Sequence, residues 1–261
     1  ALGLLGLLLG GGNGLTDGSA ALLSSGVVVD GHIVDAMVYR VDANGQQIGN
    51  YVFTDASGNY SGLIAGDATT KIVVKALANY VDPLTGLTHN SYDKDLSPGN
   101  KIAFTSALTL YAPGNATVVN PITTLIQSLK DQDPTLSLDN ATKLVADNLG
   151  LPSTISYLSF DPLNAPSTIK VSDALAVQKV ASQVALLVTT ASSSASASAA
   201  DFGATSQQVM TQLASALRTY ASSANYDPQK SLLTNGDALV SAFKGATFAS
   251  ANLNSALSAS A

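Results

Sequence analysis

Only two imidazoles, His32 and His89, can serve this chain as bases near neutral pH. His89 stands close in sequence to Ser91, Asp93 and Asp95, the residue types of a serine hydrolase. No G-x-S-x-G elbow surrounds the serine, and that strained turn is what presents such a hydroxyl to a substrate. His32 falls in a strand pattern, where a solvated or hydrogen-bonded imidazole is the simpler reading. The absence of Cys removes thiolate nucleophiles, thiolate zinc sites, iron–sulfur clusters and disulfides. There is no P-loop, no G-x-G-x-x-G after a strand and no H-E-x-x-H. A pair of Asp residues could act as the acid and base of a glycosidase, but each Asp here is better explained by a turn or a cap. The chemistry-bearing residues point away from an enzyme.

Calcium suits them better. All eighteen acidic residues are Asp, a hard oxygen donor that favours turns and helix starts. Three groups could hold the ion: Asp42 with Asn44, Asp55 with Ser57 and Asn59, and Asp82 with Asp93 and Asp95. None continues to the Glu of an EF-hand. The competing reading is that Asp and Asn stand there because turns favour them. No cofactor is required, and calcium is the one ion the pattern suggests.

These residues must be held by ordinary elements. The chain has 261 residues, 46% of them hydrophobic and only 11% charged, with a net charge of −6. That charge balance lacks the basic footprint of a nucleic-acid binder. The stretch 27–42 alternates over Ile33, Val34, Met37, Val38, Tyr39 and Val41 and reads as strand. Asp42-Ala43-Asn44-Gly45 is a hairpin turn. Further strands follow at 51–54, 60–64, 71–77 and within 101–111, with one long loop from Tyr80 to Gly99. At Asn120-Pro121 the period changes: Asn120 is the N-cap, Pro121 the first helical residue, and Ile122, Leu125, Ile126 and Leu129 form one apolar stripe. More helices read at about 137–149, 172–190, 205–223 and 237–244. The Ala/Ser tract 191–200 is a loop or helix extension, and the last thirteen residues are a surface tail.

Residues 1–14 carry six leucines in the first nine positions and no charged side chain. A helix of that run is too short to span a bilayer, which takes about twenty residues, so no transmembrane segment is expected. It has the length of a signal-peptide core but no basic residues before it. Leu2, Leu4, Leu5, Leu7, Leu8 and Leu9 need shelter on their own domain, in a neighbouring subunit or at a membrane surface.

The order of motifs resembles a known family. Gly26-Val27-Val28-Val29-Asp30-Gly31, Ala36-Met37-Val38, Asp42-Ala43-Asn44-Gly45 and Thr54-Asp55-Ala56-Ser57-Gly58-Asn59-Tyr60 resemble the carboxypeptidase regulatory-like, transthyretin-like modules of bacterial surface proteins. Val119-Asn120-Pro121-Ile122-Thr123-Thr124-Leu125, Leu149-Gly150-Leu151-Pro152 and Phe160-Asp161-Pro162 are similar to the helical segment that follows such modules in secreted adhesins. The resemblance implies a secreted, non-catalytic surface or matrix protein, often calcium-dependent. One copy of each module and no glycine-rich calcium repeat array favour a polymerising subunit over a giant adhesin.

The expectation is therefore an α+β protein in three parts. An apolar segment covers 1–25, an antiparallel β-sandwich (transthyretin/Ig-like) 26–118, and a C-terminal helical bundle 119–261. It is expected outside the cell, after removal of a signal peptide, as a structural subunit. It would polymerise with copies of itself by inserting its terminal Leu/Gly segment, as a donor strand or plug, into an apolar groove or open sheet edge of a neighbour. The alternative is a monomeric cell-surface adhesin or carbohydrate-binding module that binds through the Tyr80–Gly99 loop.

Overall fold

A computed structural model describes residues 22–94, 101–104, 108–195, 202–223, 226, 231–235 and 239. The six leucines of the N-terminal run, Asp95, the helix expected at 237–244 (Leu239 apart) and the Ala/Ser tail lie outside them. The fold is α+β, with several antiparallel sheets followed by four helices.

The strands are β1 (Leu23–Val28), β2 (His32–Val34), β3 (Met37–Val41), β4 (Gln47–Phe53), β5 (Asn59–Ile64) and β6 (Lys71–Lys75). They continue with β7 (Tyr80–Val81), β8 (Thr88–His89), β9 (Tyr92–Lys94), β10 (Lys101–Ala103), β11 (Thr109–Pro113) and β12 (Val118–Val119). One sheet runs β11-β6-β3-β4, wholly antiparallel. A second runs β12-β1-β5, with β1 antiparallel to β5 and parallel to β12. Shorter sheets are β10-β9-β2 and β7-β8. β6 is buried through Ile72, Val73 and Val74 without alternation, as a central strand covered on both faces must be. Val28, Val38, Leu63, Ile72, Val74 and Leu110 form the core among the sheets.

The stretch 27–42 is three strands rather than one. Gly31 at φ 110° and Asp35 at φ 58° take backbone that a strand cannot continue through. β1 begins at Leu23, inside the stretch assigned to the detached segment, because Leu23 pairs with Ile64 and Ser24 with Leu63. The long loop 80–99 holds β7, β8 and β9. Tyr80 pairs with His89 across a hairpin, and β9 pairs with β2 and β10.

The helices are α1 (Pro121–Gln132), α2 (Leu138–Leu149), α3 (Val171–Ala195) and α4 (Phe202–Ala221). Asn120 opens α1 with a reciprocal cap: its side chain accepts from the Thr123 amide at 2.8 Å and the Thr123 hydroxyl accepts from the Asn120 amide at 2.9 Å. α2 ends on Gly150 at φ 66°, the left-handed cap glycine adopts at no steric cost. α1 packs against α2, α3 and α4, burying Ile122, Leu125, Ile126 and Leu129 among Val145, Val184, Leu213 and Leu217.

Helices and sheets are joined firmly. α1 lies along β11, where the Thr124 hydroxyl accepts from the Tyr111 amide at 3.0 Å and Lys71 pairs with Asp131 at 2.9 Å. Leu158 packs against both cores, and its carbonyl accepts from the Thr117 and Val118 amides. By length and composition, α3 could cross a membrane. Here its inner face, through Val177, Val180, Val184 and Val188, belongs to the helical core.

Candidate functional site

The connection between α2 and α3 builds the surface features that bear on function. After Gly150, the Tyr157 hydroxyl donates to the Pro152 carbonyl, and Leu158 is tied to β12 as described. Asp161 then does two things. One oxygen accepts from the Leu163 amide at 2.9 Å, opening the 3-10 turn Pro162–Asn164, and the other lies 3.1 Å from His32 Nε2. The connection is thereby pinned to the sheet, and His32 is the satisfied strand imidazole that its pattern suggested.

Two depressions meet at Pro166. On the sheet side is an open cleft of about 690 Å³, with Phe53, Asp55, Asn59, Phe160, Asp161 and Asn164 among its walls. Among the described residues no Lys or Arg lines it, so it brings no positive side chain to an anion. On the helix side is a groove of about 590 Å³ whose walls include Leu163, Pro166, Ile169, Val171, Ala174 and Leu175. Val171 is 76% and Leu175 63% exposed. Large aliphatic side chains so placed on one rim make the groove an apolar surface that the described residues leave open.

The aspartate turns are occupied by their own backbone. Asp42 Oδ1 accepts from the Asn44 and Gln46 amides at 2.8 and 2.9 Å. Asp55 Oδ1 accepts from the Ser57 and Asn59 amides at 2.8 and 2.9 Å. In each turn Asn44, or Ser57 and Asn59, therefore contributes an amide to the aspartate. Asp82 is buried and takes the Tyr51 hydroxyl, the Thr85 hydroxyl at 2.6 Å and the Leu84 amide at 3.0 Å. Thr85 and then Tyr51 hold its carboxyl below the ordinary carboxylate range, and the same bond pushes the Tyr51 phenol up to about 12. Among the described residues, no three of His, Cys, Asp and Glu gather as a metal ion would need.

Asp93 stands in β9 near Asp30. Burial, with Asp93's charge adding to it, pushes the Asp30 carboxyl up to about 8. Gly31 makes the arrangement possible: a Cβ there would sit 1.7 Å from Asp93 Oδ1.

The Ser/His/Asp grouping assembles in another way. The acid beside His89 is Asp35, 2.6 Å from Nδ1, while Phe53 stacks on the ring at 3.6 Å. The Ser91 hydroxyl donates to the Asp35 carbonyl at 2.7 Å and accepts from the Leu77 amide at 2.8 Å. Its proton is committed to the backbone rather than to His89. Nε2 of His89 is buried and meets no partner among the described residues.

Asp35, Asp30 and the groove residues escaped the sequence reading. Asp35 is separated from His89 by 54 positions, which no local pattern bridges. The groove did leave a signal: Val171 and Leu175, four apart on α3, lie off the Val177–Val188 stripe and make the helix apolar on a second side. No family model, curated protein or solved structure matches the chain.

Proposed function

We propose that the protein is an extracellular structural subunit that polymerises head to tail, the apolar N-terminal segment of one copy inserting into the next. In this reading residues 26–118 form a transthyretin-like β-sandwich and residues 119–261 a helical bundle, the pair of modules that the sequence resembles. One observation carries it. The chain combines a charge-free, leucine-rich segment with an apolar groove that no other described residue fills.

Burying about five leucines at about 1.5–3 kcal/mol each supplies roughly 10 kcal/mol before ordering costs. A joint between two different surfaces need not close into a ring, so it propagates as a fibre. Surfaces poor in charge and free of Cys suit a protein packed against its own copies outside the cell. Calcium is no requirement of the joint.

Deleting residues 1–12 and imaging the purified product by electron microscopy tests the reading. The full chain is expected to form polymers and the truncated chain to remain monomeric. Normal polymers from the truncated chain would end it.

A second reading, a monomeric adhesin or carbohydrate-binding module, has its own support. The cleft beside Pro166 combines Phe53 and Phe160 with Asn59, Asn164, Asp55 and Asp161, a lining suited to a neutral, hydroxyl-rich ligand. Glycan-array binding by the truncated monomer, lost on Phe53→Ala, would favour it.

A further inference from the structure

We propose that the groove walled by Leu163, Ile169, Val171, Ala174 and Leu175 receives the Leu2–Leu9 run of a second copy of this chain. The inference rests on the head-to-tail reading and adds the receptor to it.

Other exposed apolar side chains make poorer seats. Val81, Leu84 and Leu87 are exposed on the hairpin of β7 and β8, and they line neither of the depressions that meet at Pro166. Ile102 is exposed on β10 immediately after Lys101, so an apolar segment there would desolvate a charge. The groove at Pro166 is concave, and among the described residues only Ser167 and Gln178 bring polar side chains to its wall. Its volume of about 590 Å³ is in the range that buries most of a bound group's surface, about 300–1,000 Å³.

The occupant is matched to that wall. Leu2, Leu4, Leu5, Leu7, Leu8 and Leu9 are interrupted only by Gly3 and Gly6, so the segment brings apolar surface and no charged side chain to a wall that has none among the described residues. It is joined to the fold at Leu22 and Leu23, which are 80% and 67% exposed. Residues 10–21 separate the run from Leu22, and twelve residues span at most roughly 40 Å. That is enough to cross to a neighbouring molecule.

Because the chain has no cysteine, each introduced thiol is unique. The test mixes two full-length proteins, one carrying Leu5→Cys and the other Leu175→Cys, under mild oxidation. A disulfide-linked pair is expected at a yield about tenfold above that with Thr85→Cys, on the hairpin, as the partner. Equal capture by Thr85→Cys overturns the site. Closure of the ring within a single chain carrying both Leu5→Cys and Leu175→Cys, in place of crosslinking between chains, overturns the second copy as occupant.

Leu175→Lys separates this inference from the reading beneath it. Leu175 is exposed, so the variant should keep its far-ultraviolet circular dichroism, yet the concentration needed for polymers should rise about tenfold or more. If removing residues 1–12 abolishes polymers while Leu175→Lys leaves them unchanged, the groove is the wrong receptor and self-assembly stands. If polymers survive the deletion itself, both fall.

Discussion

Nη1 of Arg40 donates a 2.7 Å hydrogen bond to the carbonyl of Gly114, tying β3 to the turn after β11. The same buried guanidinium donates from Nε to the Ile64 carbonyl at 2.7 Å and from Nη1 to the Thr70 hydroxyl at 3.1 Å. Its acceptors are neutral, and burial lowers its pKa. Glycine at 114 allows the approach, since a Cβ there would lie 2.0 Å from Thr70 Oγ1 and 2.8 Å from Nη1. Arg40→Met removes the guanidinium from the buried Gly114 carbonyl and the half-buried Ile64 carbonyl, at about 1–3 kcal/mol for a buried acceptor left unpaired and less for the other. A loss of about 3 kcal/mol is expected in urea unfolding, and Gly114→Ala should also destabilise. A loss under about 1 kcal/mol from Arg40→Met would mean that water replaces the guanidinium.

The reciprocal cap at Asn120 starts the helix that lies against β11 and touches α2, α3 and α4. Asn120→Ala removes the acceptor for the Thr123 amide and should cost about 1 kcal/mol, with Asn120→Asp near neutral. Thermal unfolding of the two variants checks this. Equal losses from both would locate the cost in packing rather than in the cap.

Such local devices were the legible part. Asn120-Pro121, the Asp turns at 42 and 55 and the glycine after α2 are each decided within a few residues of backbone, so the pattern of types carries them. Contacts across the chain were not legible. Asp35 reaching His89, Arg40 reaching Gly114 and Asp161 reaching His32 depend on which strands become neighbours. The hairpin Tyr80–His89 was hidden because its two-residue strands are too short to show a period, and Asp82 organises its turn from a buried position. In the candidate groove, the periodicity of α3 revealed the face turned to the core; the exposed Val171 and Leu175 were visible only as extra hydrophobicity.

Asp55 offers a direct contest between turn and ion. Its Oδ1 accepts from the Ser57 and Asn59 amides, so the carboxylate already has work without a metal. Asp55→Ala should lower stability by about 1–2 kcal/mol by leaving exposed amides to water and loosening the turn. The loss is expected to be equal with millimolar calcium and with chelator. A loss that appears only when calcium is present would restore the ion to this turn.

Asp30 makes stability depend on pH in a direction opposite to that of a surface carboxylate. Burial first, and Asp93's charge second, push its carboxyl from 3.8 up to about 8. Between those values the folded chain holds a proton at Asp30 that the unfolded chain has released. The folded state then binds more protons, so stability falls as pH rises through the window, by up to about 1.4 kcal/mol per pH unit from this group. The contribution is complete below about pH 4 and gone above about pH 8. Asp67, Asp82 and Asp133 are held below their ordinary range, chiefly by hydrogen bonds from Thr69, Thr85 and Thr135. Their stabilisation is present above the unfolded value and lost as pH falls through the folded one, so it varies mainly in acid. Asp30→Asn keeps the shape and removes the titration. It should match the parent near pH 3, pull ahead as pH rises past about 4, exceed it most near pH 8, and show a flatter stability curve in between by urea unfolding. Parallel curves for the two proteins would mean that Asp30 is already ionised at neutral pH.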